Sequence, residues 1–245
     1  MKALLNLIQV EFLKLRRKKI IWIMLLAALI MPFFALFFVN KGVDPREYYR
    51  WSAFNFTILI ILPVILGILS TMLMNEENQC DTLKQLWIVP ISKIGYFCSK
   101  FFVVLVYSIC FMLIEFVASV MVSVLLGYVA FEWSSVLYLL QKCLEYGFFT
   151  AFVMLPILAI ASSQKGYILP ICITLVYVFF ALFIWSVNMY IHPLTSMEVI
   201  VARNNDIPGI MWPQGINVPL AFLCIFVWDI IAVFFANMAL KRSEV

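Results

Sequence analysis

Charged side chains are scarce in this sequence, and their scarcity excludes most water-soluble folds. Asp, Glu, Lys and Arg together make up 12% of the 245 residues, against roughly 25% in an average soluble domain. Hydrophobic residues account for 65% of the chain, more than the core of a soluble protein of this length could bury. We therefore predict an all-α polytopic membrane protein, with a single transmembrane domain over residues 1–245.

The sequence also lacks the motifs that would make this chain an enzyme by itself. It has no Gly-rich phosphate-binding loop ending in Gly-Lys-Ser or Gly-Lys-Thr, no HExxH and no CxxC, and its only histidine is His192. We therefore predict no catalytic residue, no metal site and no cofactor in this chain, and a structural role for His192. The cysteines lack metal-site spacing and are interpreted as apolar packing residues: Cys80, Cys98, Cys110, Cys143, Cys172 and Cys224.

Six apolar runs are long enough to cross the hydrocarbon core of a bilayer, which takes about 20 residues in a helix. The predicted spans cover residues 20–39, 53–74, 101–126, 139–161, 167–188 and 216–240. Pro32 in the first span, and Pro63 and Gly67 in the second, are predicted to kink their helices. Before the first span, an apolar helical face followed by a basic cluster predicts an interfacial helix with a lipid-binding anchor, rather than a signal peptide or a nucleic-acid site.

The distribution of basic residues predicts the orientation of these spans. Six spans place both termini on one side, and cytoplasmic segments of membrane proteins carry the excess of Lys and Arg. With an internal N-terminus, the inner segments hold Lys2, Lys14, Arg16, Arg17, Lys18, Lys19, Lys84, Lys93, Lys100, Lys165, Lys241 and Arg242. The outer segments hold only Lys41, Arg46, Arg50, Lys142 and Arg203. We therefore predict that both termini are cytoplasmic.

One polar stretch, residues 75–100, separates the second and third spans on the predicted cytoplasmic side. Its sequence is NEENQCDTLKQLWIVPISKIGYFCSK, and the apolar residues Leu83, Leu86 and Trp87 recur in it at near-helical spacing. Asp81 or Asn78 can cap the start of a helix, and Pro90 would end it because the residue before a proline avoids helical angles. The polar stretch therefore predicts a short amphipathic helix at the membrane surface.

The same residues resemble a segment of a known transporter family. The order Glu76-Glu77, Thr82-Leu83-Lys84, Leu86, Pro90-Ile91-Ser92-Lys93 and Lys100 is similar to the cytoplasmic segment after the second span of ABC-2 type permeases, and is closest to the lantibiotic-immunity and bacitracin-resistance permeases. In that family this segment is the coupling helix, which docks into a groove of a separate ATPase subunit. The sequence departs from the family in its adjacent acidic pair and in Asp81, where many members have Gly or Asn.

The resemblance implies a function and a set of partners. The chain would be the permease subunit of an ATP-driven transporter that expels amphipathic antimicrobial peptides, in the cytoplasmic membrane of a bacterium. Its partners would be a dimer of ABC ATPase subunits, which hold ATP and Mg²⁺, a second permease (itself or a sister chain), membrane lipid and the peptide substrate, with no nucleic acid. The resemblance also implies a re-entrant helical hairpin on the outer face between the fifth and sixth spans, where residues 189–215 are rich in Pro and Gly.

Three other functions stay open at this point. An ABC-2 exporter could carry self-made peptides or lipids in place of antimicrobial peptides. An ion-coupled carrier would predict an inverted repeat with broken helices at matched positions, and we find no convincing repeat. A membrane scaffold would leave the amphipathic helix in the polar stretch unexplained.

Three acidic residues, Glu115, Glu145 and Asp229, fall within predicted spans. Because an ionised carboxylate at the bilayer centre costs roughly 2.5–3.5 kcal/mol on insertion scales, such groups face protein or a cavity, or stay protonated. A structural interpretation is hydrogen bonding between helices, with Lys142 a candidate partner for Glu145. A functional interpretation is a translocation path that attracts cationic substrates or relays protons.

Overall fold

The structure is a computed structural model that describes residues 2–79, 92–164, 166–204, 207–210 and 212–242, without the side chains of residues 2–5, 77–79 and 242. All regular secondary structure in these residues is helical. In chain order the helices are α1 (Lys2–Arg16), α2 (Lys19–Phe38), α3 (Pro45–Glu76), α4 (Lys93–Leu125), α5 (Trp133–Ser163), α6 (Ile168–Val187), α7 (Pro193–Val201) and α8 (Val218–Lys241). Helices α2 to α6 and α8 are long and apolar enough to cross a membrane, which confirms the predicted all-α fold with six spans.

Three spans begin earlier than the apolar runs predict. Helix α3 begins at Pro45 rather than near residue 53, α4 at Lys93 rather than 101, and α5 at Trp133 rather than 139. The additional turns contain charged and polar residues, among them Lys100, which ended the predicted spans. These residues remain helical because a helix satisfies its own backbone hydrogen bonds, and the Lys100 ammonium pairs with Glu11 of α1.

Proline accounts for the interruptions inside three spans. A proline has no N–H to donate to the carbonyl four residues earlier, and its ring collides with that carbonyl. Pro32 follows a 3₁₀ turn at Ala27–Leu29, Pro63 follows a π-helical segment at Thr57–Ile61, and Pro156 follows a break at Met154. The predicted irregularities at Pro32 and Pro63 are therefore present, as changes of helical type just before each proline.

The helices form a bundle with α3 and α5 at its centre. Helix α5 packs against α4 along its first part and against α8 along its last part, while α3 contacts α5 and α6. In the most apolar window of each span, 61% of α3 and 67% of α5 is buried, against 33% of α2 and 22% of α6 and of α8. The peripheral spans expose apolar side chains such as Phe37 and Phe183, as helices facing lipid do.

Helix α7 occupies the segment predicted as a re-entrant hairpin. It begins after His192, whose Nδ1 accepts a hydrogen bond from the backbone N–H of Leu194 at 3.3 Å, with Pro193 in the first turn. All nine of its residues are buried, and it packs against α5, α6 and α8. Within residues 202–204, 207–210 and 212–217 the chain returns through turns and bends rather than a second helix, because Pro208, Gly209 and Pro213 do not favour continued helix.

Gly67 lies against Thr174 of α6, and it does not kink its helix. The α-helix Leu62–Gln79 continues through Gly67 without interruption. A Cβ placed on Gly67 would overlap the Thr174 side chain, lying 2.6 Å from its Oγ1 and 2.9 Å from its Cβ. The glycine therefore removes a side chain from a helix–helix contact, as small residues do between transmembrane helices.

We predict that Gly67→Val lowers the thermal unfolding midpoint of the purified protein in detergent by several degrees, because overpacking typically costs 1–3 kcal/mol, roughly. Gly215→Ala is the matched control, since a Cβ at Gly215 meets nothing within 4 Å. Gly67→Ala should lower the unfolding midpoint as well, and adding Thr174→Ala to Gly67→Ala should recover part of that loss. Equal midpoints for the Gly67 and Gly215 variants would contradict a close contact between α3 and α6.

Candidate functional site

The polar stretch is described only at its two ends. Most of its predicted docking residues, Thr82, Leu83, Lys84, Leu86, Trp87 and Pro90, lie outside the described residues, and the side chain of Glu77 is not described. On one side the helix of α3 continues to Gln79. On the other side Ser92 caps α4, its Oγ accepting a hydrogen bond from the backbone N–H of Gly95 at 3.1 Å. The amphipathic helix between these ends therefore remains a prediction.

The α3 end of the polar stretch contacts two other parts of the chain. Glu76 forms an ion pair with Lys18, in the short connection between α1 and α2. The neighbouring side chain, Asn75, is fully buried, and its Nδ2 donates a hydrogen bond to the backbone oxygen of Gly166 at 2.9 Å. The end of α3 is thus held both to the N-terminal segment and to the turn before α6.

The α4 end of the polar stretch is joined to α1 by a buried ion pair. Lys100 Nζ donates to Glu11 Oε2 at 2.6 Å, and the two side chains are only 1% and 2% exposed. Lys14 Nζ reaches the other oxygen, Glu11 Oε1, at 3.0 Å but is 42% exposed. Because α1 packs along α4, this pair fixes the amphipathic N-terminal helix to the beginning of the third span.

Together these contacts connect both ends of the polar stretch to the same N-terminal segment. Lys18 binds the end of α3, and Glu11 binds the beginning of α4. A force applied to the segment between them would therefore act on α1 as well as on α3 and α4. Of the residues predicted to act in coupling, Glu76 is the one whose side chain the structure places in a contact.

Glu115 lies in the middle of α4 and has one hydrogen-bond partner. The Thr57 hydroxyl donates to its Oε1 at 3.1 Å, and the side chain is fully buried. Its Oε2 has no partner among the described residues. Thr57 begins the π-helical segment Thr57–Ile61 of α3, and such segments are frequent at functional sites.

Glu145 is bound by an arginine. Both terminal nitrogens of Arg203 donate to its two carboxylate oxygens at 3.0 Å, and Gln141 Nε2 also donates to Oε1 at 3.0 Å. The predicted candidate partner, Lys142, is close enough to act electrostatically on Glu145 and donates to the Val201 backbone oxygen at 2.5 Å. These contacts connect α5 to the C-terminal end of α7.

Asp229 lies on α8, close to the beginning of α7. Its Oδ1 is buried without a hydrogen-bond partner in the described part of the chain, and its carboxylate acts electrostatically on Tyr177 of α6. The ring of Tyr177 lies 4.3 Å from that of His192. Burial lowers the pKa of His192 to about 4, so its imidazole is neutral at pH 7. The three acidic residues within the predicted spans, Glu115, Glu145 and Asp229, therefore lie in separate surroundings and do not form one cluster.

A cavity of about 210 Å³ lies between α3, α5, α6 and α7. Its polar lining includes Arg50, Tyr146 and Glu198. None of these three was predicted from the sequence as a site residue. Tyr146 donates its hydroxyl to Glu198 Oε2 at 2.9 Å, and burial raises the pKa of Glu198 to about 7. The one sequence signal for this site was Glu198 itself, a glutamate within an apolar segment that begins with Pro193.

Comparison with known proteins agrees with the membrane-spanning architecture. A family model described as "ABC-2 family transporter protein" matches residues 7–181, more than two thirds of the chain, and the matched range contains the whole polar stretch. No curated protein sequence matches the chain at a significant level.

We predict that Glu11→Gln destabilises the protein by about 3–5 kcal/mol, because it leaves the buried Lys100 ammonium without its carboxylate. The matched control is Lys14→Gln, which removes the exposed partner of the same glutamate and should cost no more than about 1 kcal/mol. The charge swap Glu11→Lys with Lys100→Glu should restore part of the stability. Thermal unfolding in detergent measures all of these changes, and equal shifts for Glu11→Gln and Lys14→Gln would contradict a buried pair.

Proposed function

Because the chain belongs to the ABC-2 transporter family, we propose that it is the membrane-spanning permease subunit of an ATP-driven transporter that expels amphipathic antimicrobial peptides. Membership of the family makes it a membrane transport subunit with six spans. The observation on which the rest depends is the polar stretch between α3 and α4, with its amphipathic pattern and its resemblance to a coupling helix.

The energy for transport comes from a separate subunit in this proposal. The sequence has no Gly-Lys-Ser or Gly-Lys-Thr phosphate-binding loop, so ATP and Mg²⁺ would be held by a dimer of ABC ATPase subunits. The apolar face of Leu83, Leu86 and Trp87 would enter the groove of the ATPase. Glu76, which pairs with Lys18, and Glu77 would transmit the resulting movement to α3 and to the N-terminal helix.

The cargo is proposed from the resemblance to lantibiotic-immunity and bacitracin-resistance permeases. Aromatic residues make up 16% of the chain, and the exposed apolar faces of α2, α6 and α8 suit a substrate that enters from the lipid. A second permease, either another copy of this chain or a sister chain, would complete the transporter against one of these faces. An exporter of self-made peptides or lipids would use the same architecture, and the cargo test below separates these possibilities.

The proposed location is the cytoplasmic membrane of a bacterium, with both termini inside. When basic residues within the spans are left out, the inner segments hold Lys2, Lys14, Arg16, Arg17, Lys18, Lys84, Lys165 and Arg242, and the outer segments hold Lys41 and Arg203. The excess of basic residues on the inner side supports this orientation.

We predict that reporter domains fused after Lys84, after Lys165 and at the C-terminus are active in the cytoplasm. Reporter domains fused after Lys41 and after Arg203 should lie outside the cell and be active only if the reporter works there, because α2 to α6 and α8 cross the membrane in turn. A cysteine-accessibility experiment at the same positions is the control for disturbance by the fused domain. An external C-terminus would reverse the proposed location of the polar stretch.

We predict that cells lacking this chain lose tolerance to one or a few membrane-active peptides of the lantibiotic or bacitracin type. The minimal inhibitory concentration of each peptide, measured with and without a plasmid copy of the chain, provides the readout. Unchanged inhibitory concentrations for both types would contradict the proposed cargo while leaving the family assignment intact.

The same plasmid tests the docking residues. Trp87→Ala removes the side chain proposed as the aromatic anchor of the interface. Loss of such an anchor typically costs about 2 kcal/mol or more, so association with the ATPase should weaken tens of times, roughly. Glu76→Gln with Glu77→Gln should keep the ATPase bound but lower tolerance. Trp133→Ala is the matched control, because Trp133 is exposed at the opposite end of the bundle. If the Trp87 variant retains the ATPase and full tolerance, the polar stretch is not the docking element.

A further inference from the structure

The cavity between α3, α5, α6 and α7 combines an apolar wall with charged groups of both signs. Its apolar wall includes Phe54, Trp185 and Leu194, and its charged residues are Arg50 and Glu198. The two charged side chains line the same cavity but do not form an ion pair with each other. An acid and a base that share one cavity without pairing can each bind an opposite charge on a guest.

Glu198 is the acidic group of the cavity and has no basic partner among the described residues. Its side chain is 6% exposed, and its hydrogen bond comes from the neutral Tyr146 hydroxyl. The nearby cations are engaged elsewhere, since Lys142 donates to Val201 and Arg203 binds Glu145. Burial also raises its pKa to about 7. An ammonium brought into the cavity would therefore meet a buried carboxyl group whose hydrogen bond comes from a neutral hydroxyl.

Arg50 is the basic group and is held in a fixed position. Its Nη2 donates to the backbone oxygen of Gly209 at 3.0 Å, and its guanidinium lies over the Trp51 ring at 5.7 Å. Gly209 has a φ of 72°, and a Cβ at this position would collide with the guanidinium, so the glycine permits the contact. The guanidinium has five N–H donors, and those not used by Gly209 can bind an anion.

The size and position of the cavity limit what it can hold. A cavity of about 150 Å³ is enough for benzene, so 210 Å³ holds a small head group but no extended peptide. Arg50 lies in the first turns of α3 and Trp185 in the last turn of α6, at the ends of spans, where Arg and Trp meet lipid head groups. Because the polar stretch follows the other end of α3, the cavity lies at the opposite surface of the membrane.

We propose that this cavity binds a zwitterionic head group consisting of a primary ammonium and a phosphate joined by a short linker. The ammonium donates hydrogen bonds to Glu198, and the phosphate accepts them from Arg50. The acyl chains of a phospholipid would leave the cavity toward the lipid-exposed side of α6, whereas a soluble phosphoethanolamine would bind without them. Such a guest would bridge α3 and α7 and neutralise both charges.

Binding can be measured on the full-length protein in detergent by native mass spectrometry. The probes are dihexanoyl phosphatidylethanolamine, phosphatidylcholine and phosphatidylglycerol, with hexylamine and free phosphoethanolamine. Phosphatidylethanolamine should bind at one saturable site. Phosphatidylcholine, which has no ammonium N–H, and phosphatidylglycerol, which has no cation, should each bind at least about tenfold more weakly, since a charge-assisted hydrogen bond is lost.

Variants assign the binding to the cavity. Glu198→Gln and Arg50→Gln should each lower the affinity for phosphatidylethanolamine about tenfold or more, and Glu198→Asp should retain part of it. The matched control is Glu47→Gln, an exposed acid in the first turn of α3 outside the cavity, which should bind as the unmodified protein does. Thermal unfolding of each variant without lipid shows that a lost affinity is not a lost fold.

Each outcome of these binding measurements either supports or overturns the proposed head-group site. Tight binding of phosphatidylethanolamine alone supports a lipid guest, and equally tight binding of free phosphoethanolamine supports the same chemistry from a soluble source. Equal affinity for the three lipids would overturn the proposal. It also fails if hexylamine binds as tightly as phosphatidylethanolamine, or if Glu198→Gln binds normally. None of these results depends on the peptide cargo or on the ATPase.

Discussion

The requirement that charges inside a membrane be neutralised by protein determines how this bundle is built. Lys100 extends α4 two turns beyond its apolar run because Glu11 from α1 meets its ammonium. Glu145 and Lys142 are accommodated in α5 because Arg203 and the Val201 backbone oxygen, both at the end of α7, meet them. These contacts of Lys100, Glu145 and Lys142 therefore join a span to α1 or to the end of α7, neither of which spans the membrane. They position α1 and α7 against the bundle.

The two ends of the bundle use such contacts differently. At the end near the polar stretch, Glu11 and Lys18 connect both flanks of that stretch to the N-terminal segment. At the other end, α7 is fastened to α5 by several bonds, while Glu198 and Arg50 have no partner of opposite charge among the described residues. One end is suited to receiving a movement from a partner, and the other to receiving a ligand.

The apolar runs were enough to predict the number and order of the spans, because hydrophobicity over some 20 residues is a property of the local sequence. The beginning of α4 could not be predicted in the same way. Lys100 and Glu11 are 89 residues apart, so Lys100 looked uncompensated in its own segment. The prediction that Gly67 bends α3 was wrong. The role of Gly67 depends on Thr174, a residue on another helix, so it could not be recognised from the local sequence. The cavity was missed for the same reason, since its lining comes from four helices.

The Glu11–Lys100 pair also has a consequence for the order of biosynthesis. Glu11 leaves the ribosome long before Lys100, and during that interval Lys14, three residues away, is the cation within its reach. When α4 is inserted, Lys100 takes one carboxylate oxygen and Lys14 keeps the other. The N-terminal helix can therefore remain at the membrane surface with its acid compensated, and it locks into place only after the third span has arrived.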